Sequence, residues 1–143
     1  MTVDLVAFLH ARLDEDEQAA RACASAPWAI EIPPMVHVSA KAVRDSKWKW
    51  GTLGYVASVE RDADRVHIVR HDPARVLAEV EAKRRLLKLH EPRHDDYTWI
   101  CDTCSRYDTE RQMRVYEYAP CEHLKILALP YSDHPDYREG WRP

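Results

Sequence analysis

Leu5, Leu9 and Leu13 recur at every fourth position, Ala20 and Cys23 extend the stripe, and Val6 lies beside it. That period is helical and predicts one amphipathic helix over residues 3–26. Asp14, Glu15, Asp16 and Glu17 fall mostly off the stripe. Thr2 or Asp4 can cap its start by accepting a backbone N–H, and Pro27 stops it by lacking one. Cys23 sits in an alanine-rich turn and is expected to pack as a small buried thiol. From residue 28 to 60 the period drops to two. Ile30-Glu31-Ile32 and Val36-His37-Val38 alternate on either side of Pro33-Pro34, and Tyr55 to Val59 reads as a returning strand after the turn Gly51-Thr52-Leu53-Gly54. These residues predict a small antiparallel sheet. Residues 61–69 fit a short helix through Ala63, Val66 and Val69 or a strand through Val66 and Ile68, and the helix is the expectation.

The next start signal is Asp72-Pro73. Aspartate accepts as N-cap, and proline at the first helical position gives up only a donor that would be orphaned anyway. A central helix over 72–91 follows, with Val76, Leu77, Val80 and Leu87 on its apolar side and Pro92 beyond its end. Residues 97–118 predict a hairpin with Cys101-Asp102-Thr103-Cys104 at its turn, and Pro120 opens a last helix over 121–129. A final turn or short helix covers 132–141. The fold class expected is α+β: a mainly helical single domain spanning 1–143, with a long N-terminal helix, a central helix, a small sheet and a zinc knuckle in 97–143.

Composition narrows the chemistry. With 143 residues, 45% hydrophobic and 31% charged, the chain can bury a core without crosslinks. Its three glycines, Gly51, Gly54 and Gly140, exclude a glycine-rich phosphate cradle. The net charge of −3 supplies no global basic field for nucleic acid. Charge is uneven, however: residues 1–31 are acidic, whereas 41–50 and 83–93 are basic. Lys47, Trp48, Lys49 and Trp50 interleave bases with indoles, and with Arg84, Arg85 and Lys88 they form a candidate nucleic-acid surface. The simpler expectation is one packed strand face and the ordinary enrichment of cations near a helix C-terminus. No apolar run of about 18 residues occurs, so no membrane span is expected. The opening MTVDLVAFLHARLDEDE lacks the features of a secretory signal, which points to a reducing cytoplasmic setting.

In that setting, clustered thiols hold metal more often than they pair. Cys101 and Cys104 converge from a two-residue spacing, and Cys121 supplies a third sulfur. Structural zinc takes four ligands in a tetrahedron. Histidine completes the set, with His90, His123, His134 and His94 as candidates in that order. His90 closes the central helix. His123 would point away from the metal if the last helix began at Cys121, because two residues are about 200° of helical turn; it serves only if that helix begins later. Three thiolates quench the Lewis acidity of the ion, and no HExxH, nucleophile elbow or deaminase signature is present. The expectation is a structural Zn2+ and no catalysis. Zinc sites of this kind contribute about 10–16 kcal/mol in peptides, comparable to a whole domain's stability.

Three strings, DLVAFLHARLDEDEQAARA, RHDPARVLAEVEAKRRLLKLH and LALPYSDHPDYREGWRP, are similar to an uncharacterised actinobacterial family, domain of unknown function 6221, found also in phages and mobile elements. The resemblance implies no activity. It implies that the Leu89-His90 helix end belongs with Cys101, Cys104 and Cys121, which favours His90 as fourth ligand, and it suggests a small accessory or regulatory protein. The function expected is a non-enzymatic zinc module with a protein partner. A nucleic-acid-binding zinc protein is the alternative, and a metal-dependent hydrolase the third reading.

Overall fold

A computed structural model describes residues 2–24, 26–38 and 55–143. Among them four α-helices and two three-stranded antiparallel sheets alternate along the chain. The helices are α1 (Thr2–Ala22), α2 (Asp62–Arg70), α3 (Pro73–Leu89) and α4 (Glu122–Ala128). One sheet has the order β1 (Trp28–Ile32), β2 (Met35–Val38), β3 (Tyr55–Ser58); the other β4 (Arg93–His94), β5 (Trp99–Asp108), β6 (Met113–Tyr118). The chain is thus mixed helix and sheet, with the long N-terminal helix in place and a second sheet where only a hairpin was expected. The tryptophans and lysines at 47–50 lie outside the described residues. No helix among the described residues is long and apolar enough to cross a membrane.

The chain divides into two compact units, Met1–Asp14 with Glu81–Pro143, and Glu15–Val80. In the first, Leu5, Leu9 and Leu13 are buried as the helical stripe predicts, together with Leu87, Ile100, Leu124 and Trp141. Leu9 and Leu13 of α1 share a lining with Lys83 and Leu87 of α3 and with Leu127 and Tyr131. An Arg84–Asp14 ion pair at 2.6 Å ties the same two helices. The tail returns to α1: Phe8 meets Trp141 at 5.0 Å between ring centroids and Tyr137 edge-on at 6.0 Å. Asp4 lies in the first turn of α1 and binds Arg138 at 2.7 Å.

In the second unit β2 is the central strand, and Val36, His37 and Val38 are all buried. Successive residues point to opposite sides of a strand, so both faces of β2 are covered. Helix α2 packs on β1 and β2. Its buried residue is Arg65, not the apolar Val66, which is exposed. The guanidinium donates to the Val59 and Glu60 carbonyls at 2.5 and 2.9 Å and pairs with Asp62. Asp72 caps α3 as predicted, accepting from Arg75 N at 3.0 Å, and its other oxygen accepts from Trp28 N at 3.3 Å.

Two expectations are corrected. Helix α1 ends at Ala22, so Cys23 leaves the stripe; it is exposed and its thiol donates to the Ala19 carbonyl at 3.3 Å. The β5–β6 turn lies at residues 109–112, not at the cysteines. Asp108 closes that turn by accepting from Glu110 N and Arg111 N, and Gln112 takes a left-handed φ of 51°.

Candidate metal centre

Cys101 and Cys104 sit inside strand β5, where the ladder slips. Cys101 pairs with Glu117, yet the next pair is Arg106 with Val115. Five steps along β5 therefore match two along β6. The surplus buckles out of the sheet as a bulge, which turns the strand's direction locally and lets Cys104 converge with Cys101. Two hydroxyls hold the excursion. Ser105 Oγ donates to the Cys101 carbonyl at 2.7 Å and accepts from Glu117 N at 3.0 Å, replacing a missing rung. Thr103 Oγ1 donates to the Leu89 carbonyl, fastening the bulge to the end of α3 beside His90. Sequence reasoning missed both hydroxyls; the readable signal was Ser and Thr flanking the second cysteine.

His90 is buried at the close of α3. Its Nδ1 lies 3.5 Å from Cys101 Sγ, 3.3 Å from Cys104 Sγ and 3.7 Å from Cys121 Sγ. With Zn–S near 2.3 Å and Zn–N near 2.0–2.1 Å, a sulfur and a nitrogen at two corners of a tetrahedron stand about 3.6 Å apart. The observed separations scatter around that edge. Cys121 is buried at the N-cap of α4 with an extended backbone, φ −69° and ψ 164°, and the helix begins one residue later. That single step brings His123 round: its Nδ1 is 3.3 Å from Cys104 Sγ, and its ring stacks on that of His90 at 4.5 Å. Donor atoms of His90, Cys104, Cys121 and His123 all lie within 4.8 Å of one another. Five donors thus gather where four suffice, and the group could hold a metal ion.

The donor set fits a cation electrostatically. Burial, then the neighbouring Cys101 and Cys121, pushes the Cys104 thiol up to about 12. Burial likewise raises Cys121, while burial and then His123 lower His90. Crowded thiols resist ionising together, and a divalent cation reverses that by stabilising each thiolate. On the outer side of the bulge, Asp102 is engaged elsewhere. It binds Arg93 at 2.5 and 3.0 Å and Arg114 at 3.2 Å, and Arg93 holds its carboxyl below the usual carboxylate range.

The remaining candidates go elsewhere. His134 lies against Arg12 at 2.8 Å and beside the Phe8 ring. His94 is exposed in β4 with its ring edge-on to Trp99. Of the candidate nucleic-acid surface, Lys47, Trp48, Lys49 and Trp50 fall outside the described residues. Arg84 is paired with Asp14 and Arg85 with Glu81 at 2.9 Å, while Lys88 is exposed on the last turn of α3.

The three strings that carry the resemblance lie in α1, α3 and the C-terminal tail, and the match extends through residues 2–143. The chain belongs to the family of unknown function DUF6221. No curated protein and no solved structure matches it. The centre assembled from α3, β5 and α4 therefore lies within the part of the chain that defines its DUF6221 membership.

Proposed function

We propose that the chain is a non-catalytic, zinc-stapled accessory module that acts by binding a protein partner. The convergence of three thiols within 3.7 Å of one buried imidazole nitrogen supports it. Cys101, Cys104, Cys121 and His90 are the ligands in this reading. Two sets of four share His90, Cys104 and Cys121, and differ in Cys101 or His123. Burial favours Cys101, which is fully covered, over the exposed His123. A buried thiolate needs a cation beside it, whereas an exposed imidazole does well in water. An ion held by three thiolates and an imidazole has its positive charge quenched and its coordination filled, so it ties α3, β5 and α4 together without activating water. The partner-binding part is supported by the exposed aromatic side chains of the second sheet, Tyr107, Tyr116 and Tyr118.

The test is metal content per chain, with cobalt substituted for zinc to read ligand type. One equivalent of zinc and intense sulfur-to-cobalt absorption are expected. His90→Ala should lower both metal affinity and melting temperature, and His123→Ala should leave the stoichiometry unchanged. Retention of zinc by His90→Ala with loss in His123→Ala would transfer the fourth ligand to His123.

A further inference from the structure

Strand β6 is an edge among the described residues, where the sheet runs β4-β5-β6 and stops. The inward and outward positions of β6 follow from its hydrogen bonds. Ala119 N donates to the Trp99 carbonyl and Glu117 N to Ser105 Oγ, so the odd-numbered positions face β5. By alternation, Arg114, Tyr116 and Tyr118 direct their backbone N–H and C=O groups outward. Natural edges are blunted with charged side chains, lysine above all, or with proline, a bulge or a covering segment. Met113–Tyr118 contains neither lysine nor proline, and its two charges are of opposite sign, Arg114 and Glu117; its own strand carries no ladder slip of the kind seen in β5, and Met113, Tyr116 and Tyr118 are 53%, 47% and 69% exposed.

We propose that this edge pairs with β6 of a second copy, antiparallel and in one register, to make a continuous six-stranded sheet. The proposal rests on the reading of the chain as a protein-binding module and names the partner.

The register follows from symmetry and charge. A two-fold axis between antiparallel strands must pass through a residue facing itself, so that side chains opposite each other share a face of the sheet. Centring on Arg114 opposes two guanidiniums, and centring on Glu117 opposes two carboxylates; both are unfavourable. Centring on Tyr116 sets Tyr116 against its own copy, Arg114 against the second copy's Tyr118, and Val115 against the second copy's Glu117. It is also the centring in which the outward N–H and C=O groups of positions 114, 116 and 118 in both copies all find each other. Arg114 already lies 5.7 Å from the Tyr116 ring centroid, on the face where the second copy's Tyr118 would arrive. Guanidinium against tyrosine is a favourable pairing there. Six residues of strand bury less than a standard interface, so the dimer is weak, in the micromolar range.

Sedimentation equilibrium of the full chain in its metal-bound form, from micromolar to submillimolar concentration, tests this. The 16.7 kDa species should give way reversibly to one of twice that mass. Position 118 fixes the register. Tyr118→Arg places like charges opposite each other twice and should weaken the dimer about tenfold. Tyr118→Glu creates two Arg–Glu pairs and should tighten it. Tyr116→Pro deletes an outward N–H without touching the β5 ladder and should weaken the dimer as well. Zinc content is measured on the same samples. A wild-type chain that stays at the monomer mass with its metal bound overturns self-pairing alone. Absence of metal overturns the reading beneath it. Equal shifts in one direction from both position-118 substitutions overturn the register.

Discussion

Two clusters of buried polar groups, one in each unit, meet the cost of burial in opposite ways. In Glu15–Val80, the buried Arg65 and Asp72 meet backbone partners within the chain: Arg65 the Val59 and Glu60 carbonyls, Asp72 the N–H groups of Trp28 and Arg75. Those interactions are complete without any added component. In Met1–Asp14 with Glu81–Pro143, Cys101, Cys121 and His90 are buried against one another, and in the proposed reading their partner is an added ion. Buried polar groups that satisfy each other specify a fold by themselves; buried donors of one kind specify a fold plus a ligand.

Removing the ion should break the comparison most visibly. Exhaustive chelation is expected to release amide protection at Ile100 and Leu124, next to the thiols, before that of β2. The free energy of zinc binding in peptides, about 10–16 kcal/mol, is comparable to the stability of a whole domain, about 5–15 kcal/mol. Hydrogen exchange followed by mass spectrometry checks this. Simultaneous loss in both units would reduce the contrast to one of composition.

A smaller effect sharpens the other side. Arg65→Met keeps the apolar stem and deletes the donors to two carbonyls. It should destabilise the chain by about 1–3 kcal/mol with zinc content unchanged, read from the urea midpoint. A concurrent loss of metal would show that the two solutions are coupled.

The smallest effect separates local turn chemistry from metal chemistry inside one unit. Asp95 accepts from the N–H groups of Tyr97 and Thr98 at 3.0 and 2.7 Å, and these bonds hold its carboxyl below its ordinary value. A depressed carboxylate contributes above its unfolded pKa, and that contribution is lost as pH falls through the folded pKa. NMR titration should therefore find Asp95 ionised into more acidic solution than an unperturbed aspartate, and Asp95→Asn should flatten the acid limb of stability slightly.

The parts legible in sequence are those set by neighbours along the chain. Leucine spacing gave α1, and Asp72-Pro73 gave the start of α3, because caps and stripes are local. The knuckle was legible as chemistry but not as topology. Its position inside β5 depends on a register with β6 that no short window contains. Whether His123 reaches the thiols depends on whether α4 starts at residue 121 or 122, a difference of one residue that swings a side chain across the helix. Val66 fits the helical spacing of α2, yet it is exposed. The inward residue is Arg65, because carbonyls at the end of the preceding segment were waiting for a donor.

The carboxylate of Asp72 has a consequence for tolerance to insertions. One oxygen is committed to the first turn of α3 and the other to the opening residue of β1, forty-four positions earlier. Adding or deleting a single residue between Arg70 and Pro73 would force the side chain to abandon one of them. The tip at Thr109–Arg111 has no such double allegiance, so length variation among related chains should accumulate there and be scarce before Pro73.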